Sequence, residues 1–215
     1  MVAIIDYQAG NLTSVRLALE ALDTVGVITS DAGVIRRAER VIFPGVGAAG
    51  AAMRTLRAAG LDRTIREVVA AGTPFIGICL GTQILFDFSA EDGGVPMLGL
   101  LPGDVQRFRP TDPRAKVPHM GWNQVHHLRP HPLLAGIPDA SDFYFVHSFY
   151  PVPTDPADGL GATEFAGCRF TSMVGRGNLV ATQFHVEKSG PVGLLMLRNF
   201  LRWQPGSAAD PAPTA

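Results

Sequence analysis

The chain has 215 residues, enough for one domain with a sizeable buried core, and its net charge of −1 excludes the basic excess of a nucleic-acid-binding protein. No apolar run reaches the length that spans a bilayer, and no Cys/His spacing typical of zinc occurs, so neither membrane, metal nor cofactor is expected. The two cysteines, Cys79 and Cys168, are too few for a disulfide framework and point to a reducing cytoplasm.

Residues 2–6 form an apolar run that reads as a first strand rather than a secretory leader. Asn11 is placed to cap a helix whose stripe is Val15, Ala18, Leu19 and Leu22, with Gly26 as its stop. A strand at 27–29, a short helical piece at 34–38 and a strand at 40–43 follow. Pro44-Gly45-Val46-Gly47 is a glycine-rich turn. It is either a plain strand–helix connection or a place where backbone N–H groups point at an anion. A helical pair carrying Leu61, Ile65, Val68 and Val69 stops at Gly72.

Residues 74–78 read as a buried parallel strand, followed by Cys79 between Gly77 and Gly81 and then by helix-like spacing from Thr82 to Phe86. Strand, small residue, nucleophile, small residue, helix is the layout of a nucleophile elbow. A core cysteine needs neither glycine, whereas the elbow needs both to avoid collision with its neighbours. A helix N-terminus after Cys79 would favour thiolate over thiol. The regular strand–helix alternation up to this point predicts a parallel sheet with helices on both faces and a site at the carboxyl ends of its strands.

The second half changes character, with short strand-like runs, prolines and turn signals. Residues 105–108 and 122–125 read as antiparallel members and 143–147 as a stronger strand. The segments 165–174 and 179–185 form a hairpin around Gly175-Arg176-Gly177-Asn178. Ser189-Gly190-Pro191 opens a last helix with Val192, Leu195, Met196 and Phe200 on its apolar side. One domain is expected over 1–204. Residues 205–215 are too poor in apolar side chains to pack and read as disordered.

Of the six histidines, His126, His127 and His131 lie among prolines and arginine and read as surface loop. His185 ends the 179–184 run, where a site is expected, and Glu187 follows two residues on. In extended chain these two side chains share one side, so a carboxylate could hold the imidazole as the third member of a nucleophile–base–orienter set.

Gly77-Ile78-Cys79-Leu80-Gly81-Thr82-Gln83 together with Phe184-His185-Val186-Glu187-Lys188-Ser189 resembles the class I glutamine amidotransferases, whose site uses Cys, His and Glu in this chain order. Residues 6–11, 44–47, 116–123 and 144–148 narrow the resemblance to the glutaminase subunits of imidazole glycerol phosphate synthases, and the only lysines, Lys116 and Lys188, fall in these motifs. The resemblance covers about residues 2–203, and departs where Gln8 replaces a usual glycine and Val186 a usual proline. It implies a flavodoxin-like three-layer α/β fold with an antiparallel extension in the second half. It also implies hydrolysis of glutamine by Cys79, His185 and Glu187. The oxyanion hole would come from the Val46-Gly47 turn and Leu80, and substrate contacts from Gln83, Ser148 and Phe149. It further implies a separate (β/α)8 cyclase subunit that receives ammonia and meets the chain near Asn11, Tyr144 and Lys188.

Overall fold

A computed structural model describes residues 1–8, 10–110, 112 and 114–206. The first half alternates as its periodicity predicts: Val2–Ile5 (β1), Leu12–Glu20 (α1), Gly26–Thr29 (β2), Ala32–Arg36 (α2), Arg40–Gly45 (β3), Ala49–Ala58 (α3), Leu61–Ala70 (α4), Phe75–Cys79 (β4) and the single turn Leu80–Gln83 (α5). The second half is mostly strand: Phe88–Ser89 (β5), Val95–Pro96 (β6), Gly103–Arg107 (β7), His119–His127 (β8), Ser141–His147 (β9), Phe149–Pro153 (β10), Gly159–Phe165 (β11), Cys168–Arg176 (β12) and Leu179–Thr182 (β13). Gly190–Arg202 (α6) closes the domain.

Nine strands form one sheet in the order β2-β1-β3-β4-β13-β12-β11-β8-β9. The strands from β2 to β13 are parallel, and the rest are antiparallel. Parallel strands need helical crossovers and so are covered on both faces. Ile4, Ile42, Ile76 and Ile78 pack into one core with Val15 and Leu19 of α1 and Met196, Leu197 and Phe200 of α6. Ala3, Ile5, Val41, Phe43 and Phe75 pack into another with Met53, Leu56, Ile65 and Val68 of α3 and α4. Successive residues of each strand point to opposite faces, so i and i+2 enter one core and i+1 the other, which produces the three layers. A second sheet, β10-β7-β5-β6, was not foreseen; its two-residue strands are too short for a period-2 signal.

Several local expectations are corrected. Asn11 does not cap α1: its backbone is left-handed (φ 74°), its side chain makes no cap bond, and it points into the site instead. α1 ends at Glu20, and Gly26 opens β2. His126 and His127 end β8, and His131 is buried with its ring on Trp203, because the Pro132–Leu134 turn folds that segment back under α6. Gln8 sits at φ 67°, which explains why glycine suits this position in the resembling family. The tail expected to be disordered falls, from residue 207 on, outside the described residues.

The elbow is built as the glycine bracket requires. A Cβ on Gly81 would stand 1.9 Å from the Phe43 carbonyl oxygen, and one on Gly77 would stand 2.7 Å from the Gly81 oxygen. β3 and the elbow therefore approach closer than any side chain permits. Gly81→Ala is expected to destabilise by about 3 kcal/mol or more, since the obstruction is backbone and cannot rotate away; urea denaturation midpoints check this.

Candidate active site

Cys79 ends β4 at φ 55°, ψ −110°, a strained conformation that only a surrounding fold can hold, and lies 7% exposed at the carboxyl edge of the parallel strands. The Thr82 hydroxyl donates to the Thr182 carbonyl at 2.6 Å and so locks the elbow to β13. The helix after Cys79 is one turn, shorter than the spacing from Thr82 to Phe86 suggests, because the chain turns at Ile84 toward the small sheet. Its first N–H groups, rather than a long macrodipole, face the sulfur's surroundings. Gln183 Nε2 lies 3.8 Å from Cys79 Sγ, and Sγ is 3.9 Å from the Val146 carbonyl oxygen.

β13 stops at Thr182, so His185 and Glu187 do not share a strand. His185 instead precedes a 3-10 turn, Val186–Lys188, and this turn brings Glu187 Oε1 to 2.8 Å from His185 Nδ1. Val186 is fully buried inside that turn. The His185 backbone is held on both sides: its N–H donates to the Tyr144 carbonyl at 2.9 Å, and its carbonyl accepts from Ser189 Oγ at 2.6 Å. Asn11 Nδ2 also donates to Glu187 Oε1 and lies 3.4 Å from His185 Nδ1.

His185 Nε2 is buried without a hydrogen-bond partner of ordinary geometry. Burial opposes a charge on this ring, but Cys79 and then Glu187 more than offset it, and the His185 pKa is pushed up to about 10. This favours a protonated, positively charged ring beside the Cys79 sulfur.

Around these groups lies a cavity of about 380 Å³, in the range of small-molecule sites. Its lining gathers Cys79 and His185 with Val46, Gly47, Leu80, Gln83, Ser148 and Phe149, six residues expected to form the oxyanion hole or hold substrate. Both Gln83 amide protons are committed, to the Phe149 carbonyl at 2.9 Å and to Gln183 Oε1 at 3.0 Å. Sequence reasoning missed Gln183, whose only signal was a polar residue inside an apolar run. It also missed Glu91, which lines the cavity and accepts from the Ala49 N–H at 2.7 Å; an acid in a polar turn gave no signal. Burial raises the Glu91 pKa, with the Ala49 N–H opposing.

Tyr144 is half-buried between Trp122, at 6.1 Å between rings, and His185, at 6.5 Å. Lys188 is exposed, one residue beyond Glu187. Met120 and Trp122 are 64% and 58% exposed on the same strand pair. Among the described residues no group of three His, Cys, Asp or Glu is arranged to hold a metal, and no helix is long and apolar enough to cross a membrane.

A directed hydrogen-bond chain lies behind the cavity. His147 Nδ1 donates to the Phe149 carbonyl at 2.7 Å, so its Nε2 accepts from His119 Nδ1 at 3.0 Å, and His119 Nε2 accepts from Asn123 Nδ2 at 3.1 Å. The pattern requires both rings neutral, and burial lowers their pKa values to about 4 for His119 and about 3 for His147. Folded values below the unfolded 6.5 mean that the unfolded chain binds protons first, so stability is full above pH 6.5 and falls as the pH drops toward 4 and then 3. Thermal midpoints measured between pH 7 and pH 4 should decline, and the two ring resonances should show no titration above pH 5.

The family model for "Glutamine amidotransferase class-I" matches residues 3–203. A relative from Aromatoleum aromaticum named "Imidazole glycerol phosphate synthase subunit HisH" is 50% identical over 212 residues, 95% of this chain and 99% of that one. One of the same name from Dehalococcoides mccartyi is 48% identical, covering 94% and 97%. Among solved structures, PurLQS from Thermotoga maritima superposes with a TM-score of 0.72 at 18% identity, over 94% of this chain and 97% of that one, a likeness of fold. With the match running from β1 to the end of α6, this chain belongs to the class-I glutamine amidotransferase family.

Proposed function

We propose that the chain hydrolyses glutamine to glutamate and ammonia with a Cys79–His185–Glu187 triad. The ammonia passes to a (β/α)8 cyclase subunit that forms imidazole glycerol phosphate and an aminoimidazole carboxamide ribotide in histidine biosynthesis. The observation that carries the reading is the buried His185 ring, held by Glu187 on one nitrogen and turned to Cys79 with the other. Names borne by relatives about half identical to the chain supply the pathway.

In this reading Cys79 Sγ attacks the side-chain amide carbon of glutamine. The developing oxyanion is met by the Leu80 N–H and by an N–H of the Val46-Gly47 turn. His185 Nε2 gives its proton to the leaving nitrogen, ammonia departs, and a thioester remains. His185 then takes a proton from water, whose oxygen attacks the thioester carbon; glutamate leaves and the thiolate returns. Glu187 keeps the imidazolium oriented and balanced throughout. Glu91, the acid on the cavity wall, suits the substrate's α-ammonium, and the Ser148–Phe149 backbone suits its α-carboxylate end.

The partner would dock over Asn11, Tyr144 and Lys188, where the exposed Met120 and Trp122 offer apolar area beside the triad. The test is co-purification with the cyclase subunit and measurement of glutamine turnover by the chain alone, with partner, and with partner plus its ligand. Turnover should rise at each step. Equal rates in all three would favour a hydrolase that acts alone.

A further inference from the structure

His119 and His147 are buried among aromatic rings, and no step above uses either. Two phenylalanines would pack there without a polar cost, so the imidazoles call for a reason. The two residues are register partners across β8 and β9. The His119 ring is stacked on Phe145, at 4.6 Å between centroids, and on Phe165, at 4.2 Å. His147 reaches the cavity wall, and His119 stands one ring behind it.

Their hydrogen-bond chain ends on the Phe149 carbonyl. β10 is an edge strand of the small sheet, so side chains rather than a further strand serve its outer groups. The Phe108 N–H donates to the Ser148 carbonyl at 3.1 Å. That bond turns the Ser148 backbone toward β7 and the Phe149 backbone away from it, toward Gln83 and the cavity. There the Phe149 carbonyl accepts from Gln83 Nε2 at 2.9 Å and from His147 Nδ1 at 2.7 Å, which fills both of its lone pairs. His147 is held in turn, since its Nε2 accepts from His119 Nδ1 and His119 Nε2 accepts from Asn123 Nδ2. Asn123 Nδ2 is anchored on the Glu164 carbonyl at 2.8 Å. Each ring therefore carries its proton on Nδ1.

We propose that His147 and, through it, His119 are positioning residues for glutamine binding: they aim the Phe149 peptide at the α-carboxylate end of the substrate. This deepens the glutaminase reading and rests on it. The N–H and C=O of one strand residue point the same way, so pinning the Phe149 carbonyl aims its N–H. The α-carboxylate is remote from the reacting amide and is held alike in the bound substrate and the transition state. Loss of this contact therefore belongs in KM and not in kcat.

The test is made on the partner-bound protein. His119→Phe keeps the stacked ring and deletes both nitrogens. KM for glutamine should rise about fivefold, the fold-change for one net hydrogen bond, with kcat within about twofold of wild type. His119→Asn, whose Nδ2 can replace Nδ1 as donor, should recover most of that rise. His147→Phe should raise KM at least as far, and His119→Phe added to it should change KM no further, because His119 acts through His147. If His119→Phe does not fold, His147→Phe against His147→Asn makes the same comparison of ring without donor and donor without ring. Nitrogen NMR of the wild type should place the proton of both rings on Nδ1. A fall in kcat at unchanged KM, an additive double variant, or a His147 proton on Nε2 overturns the proposal. A wild-type pair that turns over no glutamine rejects the glutaminase reading itself, whereas an active wild type with KM unmoved in the ring variants rejects only the role of the two histidines.

Discussion

Cys79→Ala should lower glutamine-dependent synthesis by the pair at least about 10³-fold, while synthesis from added ammonium salt survives. The sulfur is the one nucleophile within the cavity that faces an imidazolium, and its strained backbone places it there whatever the side chain. Alanine fits that elbow without added volume, so the loss reports chemistry rather than folding. The other thiol, Cys168, opens β12 and lines a separate depression with Phe88 and Tyr150, so Cys168→Ala should leave turnover near wild type. Steady-state ammonia release and ammonium-dependent ring formation, measured on the same preparations, check the pair of expectations. Wild-type glutamine turnover by Cys79→Ala would remove Cys79 from its role.

The elbow was legible because its constraint is local. Gly77 and Gly81 mark a backbone crossing so close that sequence must concede it, and the 1.9 Å from a Gly81 Cβ to the Phe43 oxygen is the physical form of that concession. Alternation of strands and helices likewise carried the three layers, since buried parallel strands and amphipathic helices write different periods. The base was found, but for a reason that fails: His185 and Glu187 meet through a 3-10 turn, not along a strand, and an i, i+2 spacing does not distinguish the two. Asn11 was misread because an asparagine before a helix is usually a cap, and only the fold reveals that its φ of 74° turns the amide toward Glu187. Glu91 and Gln183 could not be read from the sequence. Each takes its meaning from a contact across more than thirty residues of chain, to Ala49 for the one and to Gln83 and Cys79 for the other.

His185→Ala should be nearly as damaging as loss of the nucleophile, about 10³-fold, because it removes both the counter-charge of the thiolate and the proton for the departing ammonia. Glu187→Ala should lose less, on the order of 10²-fold. The reason lies in Asn11. Its Nδ2 is 3.4 Å from His185 Nδ1, and with the carboxylate gone the amide can rotate to present its oxygen to the Nδ1 proton. The ring then keeps an acceptor but no longer a charge. Bulk water is a poor substitute here, since the His185 and Glu187 side chains are 1% and 0% exposed. It follows that the pair should be non-additive: Asn11→Ala alone should cost no more than about twofold, since His185 still has Glu187, whereas Asn11→Ala combined with Glu187→Ala should fall to the level of His185→Ala, about fivefold below the product of the two single losses. Measuring kcat for the three variants and the double variant on the partner-bound protein tests this. If Glu187→Ala with Asn11 intact is already as slow as His185→Ala, the carboxylate acts as more than an orienter, and the rescue through Asn11 is wrong.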